Sequence, residues 1–225
     1  WCGQIAFMQH AIQGAQRQGS DGVRDVIERL QGLYMPLSLW ESVIFPTRVT
    51  PYRKEDLDLL CASGEVLWLG RKDVEEKEGK IAFFLTDSKP LYLPFLHQAA
   101  QTNATPNKHP ELLRRLEEGG ASFLTKLSRE LDKPPTELLQ DLLELVWEGR
   151  VSNDQFAPLR LQANAKQANW ARTGSGLGRW YATSSLAEPQ ASADSASSPL
   201  LSWAHHLLNV YGLINKDLVA RTAPF

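Results

Sequence analysis

The 225-residue sequence is 43% hydrophobic and carries a formal net charge of -2. That is apolar content enough for one sizeable core or two small ones, with no global basic field that would announce nucleic acid. The composition excludes a collagen-like, disulfide-rich or wholly disordered chain, no apolar run reaches the ~20 residues of a membrane span, and no secretory signal opens it.

Taken in chain order, the sequence starts at Trp1 and stops at Pro224-Phe225, just after a helical pattern has begun again at Lys216. It is therefore expected to be an internal segment of something longer. Residues 1–19 place Ile5, Met8 and Ile12 at helical spacing and read as the last helix of a preceding module. Residues 20–104 read as a first winged-helix-like module. Ser20 and Asp21 can cap a helix with Val23, Val26, Ile27 and Leu30 on its apolar face, closed by Gly32. A second helix carries Leu37, Trp40, Val43 and Ile44 and stops before Pro46, and a third carries Leu57, Leu60 and Cys61 as far as Gly64. The period then changes. Val66–Leu69 and Ile81–Leu85 are short apolar runs suited to buried strands, with a hairpin tip at Glu78-Gly79-Lys80 between them.

Residues 105–185 repeat this plan. Helices are predicted at Pro110–Glu118, around Phe123–Leu131, and from Pro134-Pro135-Thr136 through Leu138, Leu139, Leu142, Leu145 and Val146 to Gly149. A strand begins at Arg150-Val151, and its partner is expected at Arg179–Thr183 after a long loop. Residues 186–199, rich in Ala, Ser, Asp and Pro, form a linker, and 200–225 open a further helical module. The fold class is thus α+β, predominantly helical, with tandem modules of helix-turn-helix plus β-hairpin.

Charge is unevenly spread. Gln155–Ala187 contains Arg160, Lys166, Arg172 and Arg179, no acid at all, and the interleaved aromatics Trp170, Trp180 and Tyr181. Cations on a glycine-rich backbone suit phosphates, and exposed rings suit unstacked bases. The alternative is a solvated loop whose aromatics fold back on the core. Arg48, Arg53 and Lys54, at the start of the first module's third helix, can contact phosphate or form an ordinary solvated face. The third helix of the second module carries Glu137, Asp141, Glu144 and Glu148 on one outer face. Phosphate would be repelled there, so this helix is not expected to read a groove; a basic protein surface is the alternative partner.

No catalytic residue and no metal site is assigned. Gly174-Ser-Gly-Leu-Gly178 lacks the Lys-Ser/Thr of a phosphate loop, and the adjacent His205 and His206 point to different faces of a helix. Cys2 and Cys61 stand outside any Cys-x-x-Cys pair or Cys/His cluster and read as buried thiols.

The run Trp147-Glu-Gly-Arg-Val-Ser-Asn-Asp-Gln-Phe-Ala-Pro-Leu-Arg160 resembles a signature of the large helicase-related protein family. Other blocks agree in order: Leu30-Gln-Gly32 with Trp40-Glu41 and Pro46-x-Arg48; Leu57-Asp58 with Gly64-Glu-Val-x-Trp68-x-Gly70; Gly178-Arg-Trp180; and Leu207-Leu-x-x-Tyr-Gly-x-Ile leading into Lys216-Asp-Leu-Val. The resemblance implies an accessory region of a bacterial superfamily-2 DNA helicase linked to DNA repair. Its motor domains, with ATP and Mg, would lie upstream of Trp1. It further implies DNA, single-stranded or forked, and those motor domains as partners; it admits a homo-oligomer, and it places the parent in the cytoplasm on the nucleoid. The family's tandem winged helices are similar to a family of DNA glycosylases, which adds base excision as a second reading, but the glycosylase Gln-x-Gln element has no match and no catalytic residue is carried over. A structural docking module is the third reading. Within the matching blocks, Trp40, Trp68 and Trp147 read as core residues, with base stacking as the alternative. Gly149, Asn153, Asp154 and Pro158 read as turn formers, with DNA contact as the alternative for the Asn-Asp pair.

Overall fold

A computed structural model describes residues 18–101 apart from 74 and 77, and residues 108–163, 177–187 and 198–224. Two units of the same element order follow one another. The first comprises α1 (Gly19–Leu30), β1 (Met35–Pro36), α2 (Leu37–Leu39, continuing as a π-helical turn Trp40–Ile44), α3 (Lys54–Ala62), β2 (Val66–Arg71) and β3 (Lys80–Leu85). After α4 (Lys89–Gln101) the second comprises α5 (Pro110–Gly119), β4 (Ser122–Phe123), α6 (Leu124–Glu130), α7 (Pro135–Trp147), β5 (Val151–Asn153), α8 (Ala157–Ala163) and β6 (Arg179–Ala182). Each unit closes a three-stranded antiparallel sheet, in the orders β1-β3-β2 and β4-β6-β5. This is the winged-helix plan twice over.

Several predicted features differ in detail. Ser20 and Asp21 lie inside the first turn of α1 rather than at its cap, which Gln18 occupies without a side-chain bond; Asp21 there still meets the positive end of the helix. Helix α4 lies outside the elements that the sequence predicts, and Pro90 and Pro94 would locally weigh against a helix there. Pro90 falls in the first turn, and Pro94 is tolerated because Leu91, Tyr92, Phe95 and Leu96 are all buried. Within residues 200–225, those described fold back. Helix α9 (Pro199–Tyr211) lays Trp203 and Leu207 on α4, the Trp203 Nε1–H donating to Leu91 O at 3.1 Å. Asn215 then caps α10 (Lys216–Thr222) by accepting from Leu218 N–H at 2.8 Å. The Ile5, Met8 and Ile12 stretch and most of the 186–199 linker lie outside the described residues.

The hairpin of the first unit is the centre of the molecule. Val66, Trp68, Ile81, Phe83 and Leu85 face one core with α1, α2 and α3, while Leu67, Leu69, Ala82 and Phe84 face a second core with α4 and α9. Burial on both faces explains why these strands read as continuous apolar runs rather than alternating ones. Trp40, wholly buried, ties α2 to this sheet through an indole N–H bond to Ile81 O at 2.8 Å.

The second unit shares the first core. Its Val151, Phe156, Leu159 and Trp180 are buried in the same cluster as Trp68 and Phe83. Glycines permit the approach. A Cβ on Gly70 would lie 2.7 Å from the Val146 carbonyl oxygen, and one on Gly79 would lie 2.4 Å from the Trp147 ring. The ring can swing aside; the carbonyl cannot. Gly70→Ala is therefore expected to lower the urea midpoint by the equivalent of about 1–3 kcal/mol, with the slope unchanged. A midpoint equal to wild type would mean that the two units do not pack in solution as described.

Candidate nucleic-acid interface

The turn that follows β5 is built by its own side chains. Asn153 Nδ2–H donates to Leu177 O at 2.9 Å, and its Oδ1 accepts from Gln155 N–H at 2.8 Å. Asp154 accepts from Arg179 twice, from the backbone N–H and from Nε, both at 2.6 Å. Gly178 must come close for this to happen. Its φ is +63°, and a Cβ there would meet Asn153 Oδ1 at 2.3 Å and Asp154 Oδ1 at 2.4 Å. These bonds join the two strands across the long connection from 154 to 178.

Phe156 and Arg160 then project onto the first unit. The Phe156 ring lies 5.9 Å from Trp68 and 5.2 Å from Phe83. Arg160 donates through Nε to Glu41 Oε1 at 2.7 Å, through Nη1 to both Asp58 oxygens at 2.7–2.8 Å, and through Nη2 to Lys54 O at 3.3 Å. Burial works against its charge, but the Asp58 and Glu41 carboxylates outweigh that and hold the guanidinium above its usual range. Beneath the cluster, burial and then the Asp58 charge push the Cys61 thiol far up, which keeps it protonated and unreactive.

This geometry corrects two of the predicted contacts. Arg160, 15% exposed at its side chain, is engaged by carboxylates of the first unit and is not offered to phosphate. Trp180 is wholly buried and offers no face to a base. Trp40 and Trp68 are wholly buried as well, and Trp147 is half-buried against the first hairpin. Pro158 lies in the first turn of α8 and Gly149 closes α7 at φ +74°. Arg53, Lys54 and Arg179 remain on the surface. Arg179 is 52% exposed, and among the described residues its two Nη groups have no partner. Lys166, Trp170 and Arg172 lie outside the described residues.

The acidic stripe is largely answered within its own unit. Asp141 pairs with Lys133 and His109, Glu144 with Lys108 at 3.3 Å and His109 at 3.2 Å, and Glu148 with Arg150 at 3.5 Å. The His109 bond, then the Lys108 bond, hold the Glu144 carboxyl below its usual range despite some desolvation. Sequence reasoning missed Glu41, Asp58 and Phe156 as the groups that join the units. Their separation along the chain leaves no local pattern to find. Among the described residues no group of three or more His, Cys, Asp or Glu side chains could hold a metal, and no helix is long and apolar enough to cross a membrane.

Comparison with known proteins bears on this arrangement. The family described as large helicase-related protein, winged-helix domain, matches residues 4–86, which include the whole of the first unit. A Mycolicibacterium smegmatis protein named Lhr helicase/probable uracil glycosylase is 41% identical over 154 residues, covering 68% of this chain and 10% of that protein. An Escherichia coli protein named Lhr helicase/uracil glycosylase is 31% identical over 234 residues, covering 90% of this chain and 15% of that protein. The chain thus spans only a small part of either relative.

If Arg160 joins the units, Arg160→Ala leaves Asp58 without its salt-bridge partner and Glu41 with only the Lys54 ammonium at 3.9 Å, and is expected to cost about 3 kcal/mol in urea unfolding. Arg160→Lys should recover only part of this, since one ammonium cannot serve Nε and Nη1 acceptors together. Full recovery by Lys would show that charge alone, not the forked geometry, is required.

Proposed function

Because the chain belongs to the large helicase-related protein family, we propose that it is an accessory region that grips DNA for an ATP-dependent helicase engaged in DNA repair. In this reading ATP and Mg are bound by motor domains of the parent protein, which are also the region's partners, and the parent works on the nucleoid.

What supports the grip is the contrast between the two wings. The hairpin connection of the first unit sets four acids, Asp73, Glu75, Glu76 and Glu78, against two lysines, Lys72 and Lys77, and two of the acids are engaged within their own unit. Ser38 donates its N–H and hydroxyl to Glu78, and Lys80 pairs with Glu76. The corresponding connection in the second unit, between β5 and β6, carries Lys166, Trp170 and Arg172 in a stretch from 164 to 176 without a single acid. It leaves from α8, whose Arg160 touches Lys54, and it is followed by Arg179. Arg53, Lys54 and Arg179 are exposed cations at these positions. Both third helices, by contrast, present carboxylates: Glu55 on α3, Glu137 and Glu144 on α7 and Glu148 at its C-terminal cap are exposed. A grip of this kind holds backbone and does not read sequence.

Fluorescence anisotropy of a labelled single-stranded oligonucleotide tests the reading. Affinity should fall steeply between about 50 and 200 mM salt, and Lys166→Ala/Arg172→Ala/Arg179→Ala should flatten the slope of log K against log salt by about 2, at ~0.7 per phosphate contact. A wild-type affinity indifferent to salt would overturn it.

The names of both relatives favour one second reading, excision of uracil. Incubating the chain alone with a uracil-containing oligonucleotide, followed by alkaline cleavage, decides between them. Strand breaks at uracil would assign glycosylase chemistry to this segment, and intact DNA would leave it the role of a grip.

A further inference from the structure

A groove of about 880 Å³ runs between α1, α9 and the first turn of α4. None of its lining residues belongs to the Val151–Arg160 turn, so it is distinct from the junction of the two units and from the basic wing. Its volume lies within the ~300–1,000 Å³ of ligand-binding clefts.

The chemistry of its walls is specific. Arg29 and Arg48 enter it from the first unit, Ser88 from the start of α4, and Ser202, His205 and Asn209 from α9. Among the described residues neither arginine is paired with a carboxylate. Arg48 is steadied by Ile44 O and the Thr47 hydroxyl, at 3.3 and 3.2 Å, which fixes the guanidinium without neutralising it. Two acids also line the groove on the α1 side, Asp25 and Glu28. Glu28 is answered by Arg24 one turn earlier, at 3.4 Å, and Asp25 is likewise engaged. His206 forms a fixed wall: its Nε2 lies 3.1 Å from Gln31 O, and burial pushes the imidazole towards its neutral form.

Apart from the histidines no aromatic ring lines the groove among the described residues. These residues provide no Phe, Tyr or Trp platform on which a base could stack. It offers guanidinium, hydroxyl and amide donors over the apolar floor of Val26, Leu30 and Leu91, which suits phosphate and sugar rather than base. We infer that this groove holds the phosphodiester backbone of a nucleic-acid strand, with Arg29 and Arg48 as its phosphate ligands. The inference rests on the nucleic-acid reading above and adds to it a second point of contact, which would lengthen the path of the strand over the first unit.

The test is arginine modification by phenylglyoxal, read by peptide mass spectrometry, with and without a short oligothymidylate. It is paired with anisotropy on the same oligonucleotide for Arg29→Ala/Arg48→Ala. We expect the oligonucleotide to protect Arg29 and Arg48. The double variant, with an unchanged melting temperature, should raise the Kd roughly tenfold and lower the salt slope by about 1.4, the value for two single-strand phosphate contacts. If the wild type binds but both arginines are modified at the free rate, the groove is not on the path and the inference fails while the grip stands. If the wild type does not bind at all, the grip itself fails and the groove with it.

Discussion

Two carboxylates of the first unit, Glu41 and Asp58, are answered by an arginine of the second. Glu41 is 12% exposed at its side chain and Arg160 15%, so neither can be left alone without a large desolvation cost. Separating the units would strand the Arg160 charge, leave Glu41 only the Lys54 ammonium at 3.9 Å, and withdraw Phe156 from Trp68 and Phe83. Ser152 adds a hydroxyl bond to Trp68 O at 2.7 Å, and Lys72 N–H donates to Trp147 O at 3.1 Å. The stretch from Trp147 to Arg160 is therefore a seam. The residues by which the sequence resembles its family are those that fasten one winged helix to the next, and their first task is structural.

That seam determines which surfaces are left for a ligand. An isolated winged helix has a free third helix and a free wing. Here the first wing is buried on both faces, and α7 is buried on two sides by Leu138, Leu142 and Leu145 and by Leu139, Leu143 and Val146, leaving an outer stripe of acids. Between β5 and β6, by contrast, the sequence from 155 to 178 carries cations and no acid. The winged-helix plan is thus retained while the two surfaces that usually stand free on it are occupied by packing or by carboxylates.

How much of this was legible in the sequence follows from the range of the interactions. Helices with one apolar stripe, such as Pro110–Glu118, and the strand at Arg179, identified as the late partner of Val151, depend on local period and could be read. Helix α4 could not, since its two prolines outweigh a pattern whose meaning depends on Phe84 and Trp203 being opposite. The return of α9 was equally hidden: Trp203 meets Leu91 across 112 residues, and nothing near position 203 encodes that partner. Arg160 was misread for a related reason. In a stretch without acids every cation looks available, and the carboxylates that engage it lie 119 and 102 residues away.

Arg160 and the exposed cations Arg53, Lys54 and Arg179 thus form two electrostatic systems distinguished by depth. Arg160 and Glu41 are largely buried, at 15% and 12% side-chain exposure, where the local dielectric is lower and mobile ions have little access. Arg179, Arg53 and Lys54 stand in solvent, where salt at about 0.15 M screens charge beyond roughly 8 Å. Raising the ionic strength therefore acts on the second system and leaves the first almost untouched. Salt can therefore weaken the surface charges while the two units keep their relative orientation, because burial, and not residue type, sets what a guanidinium's charge can do.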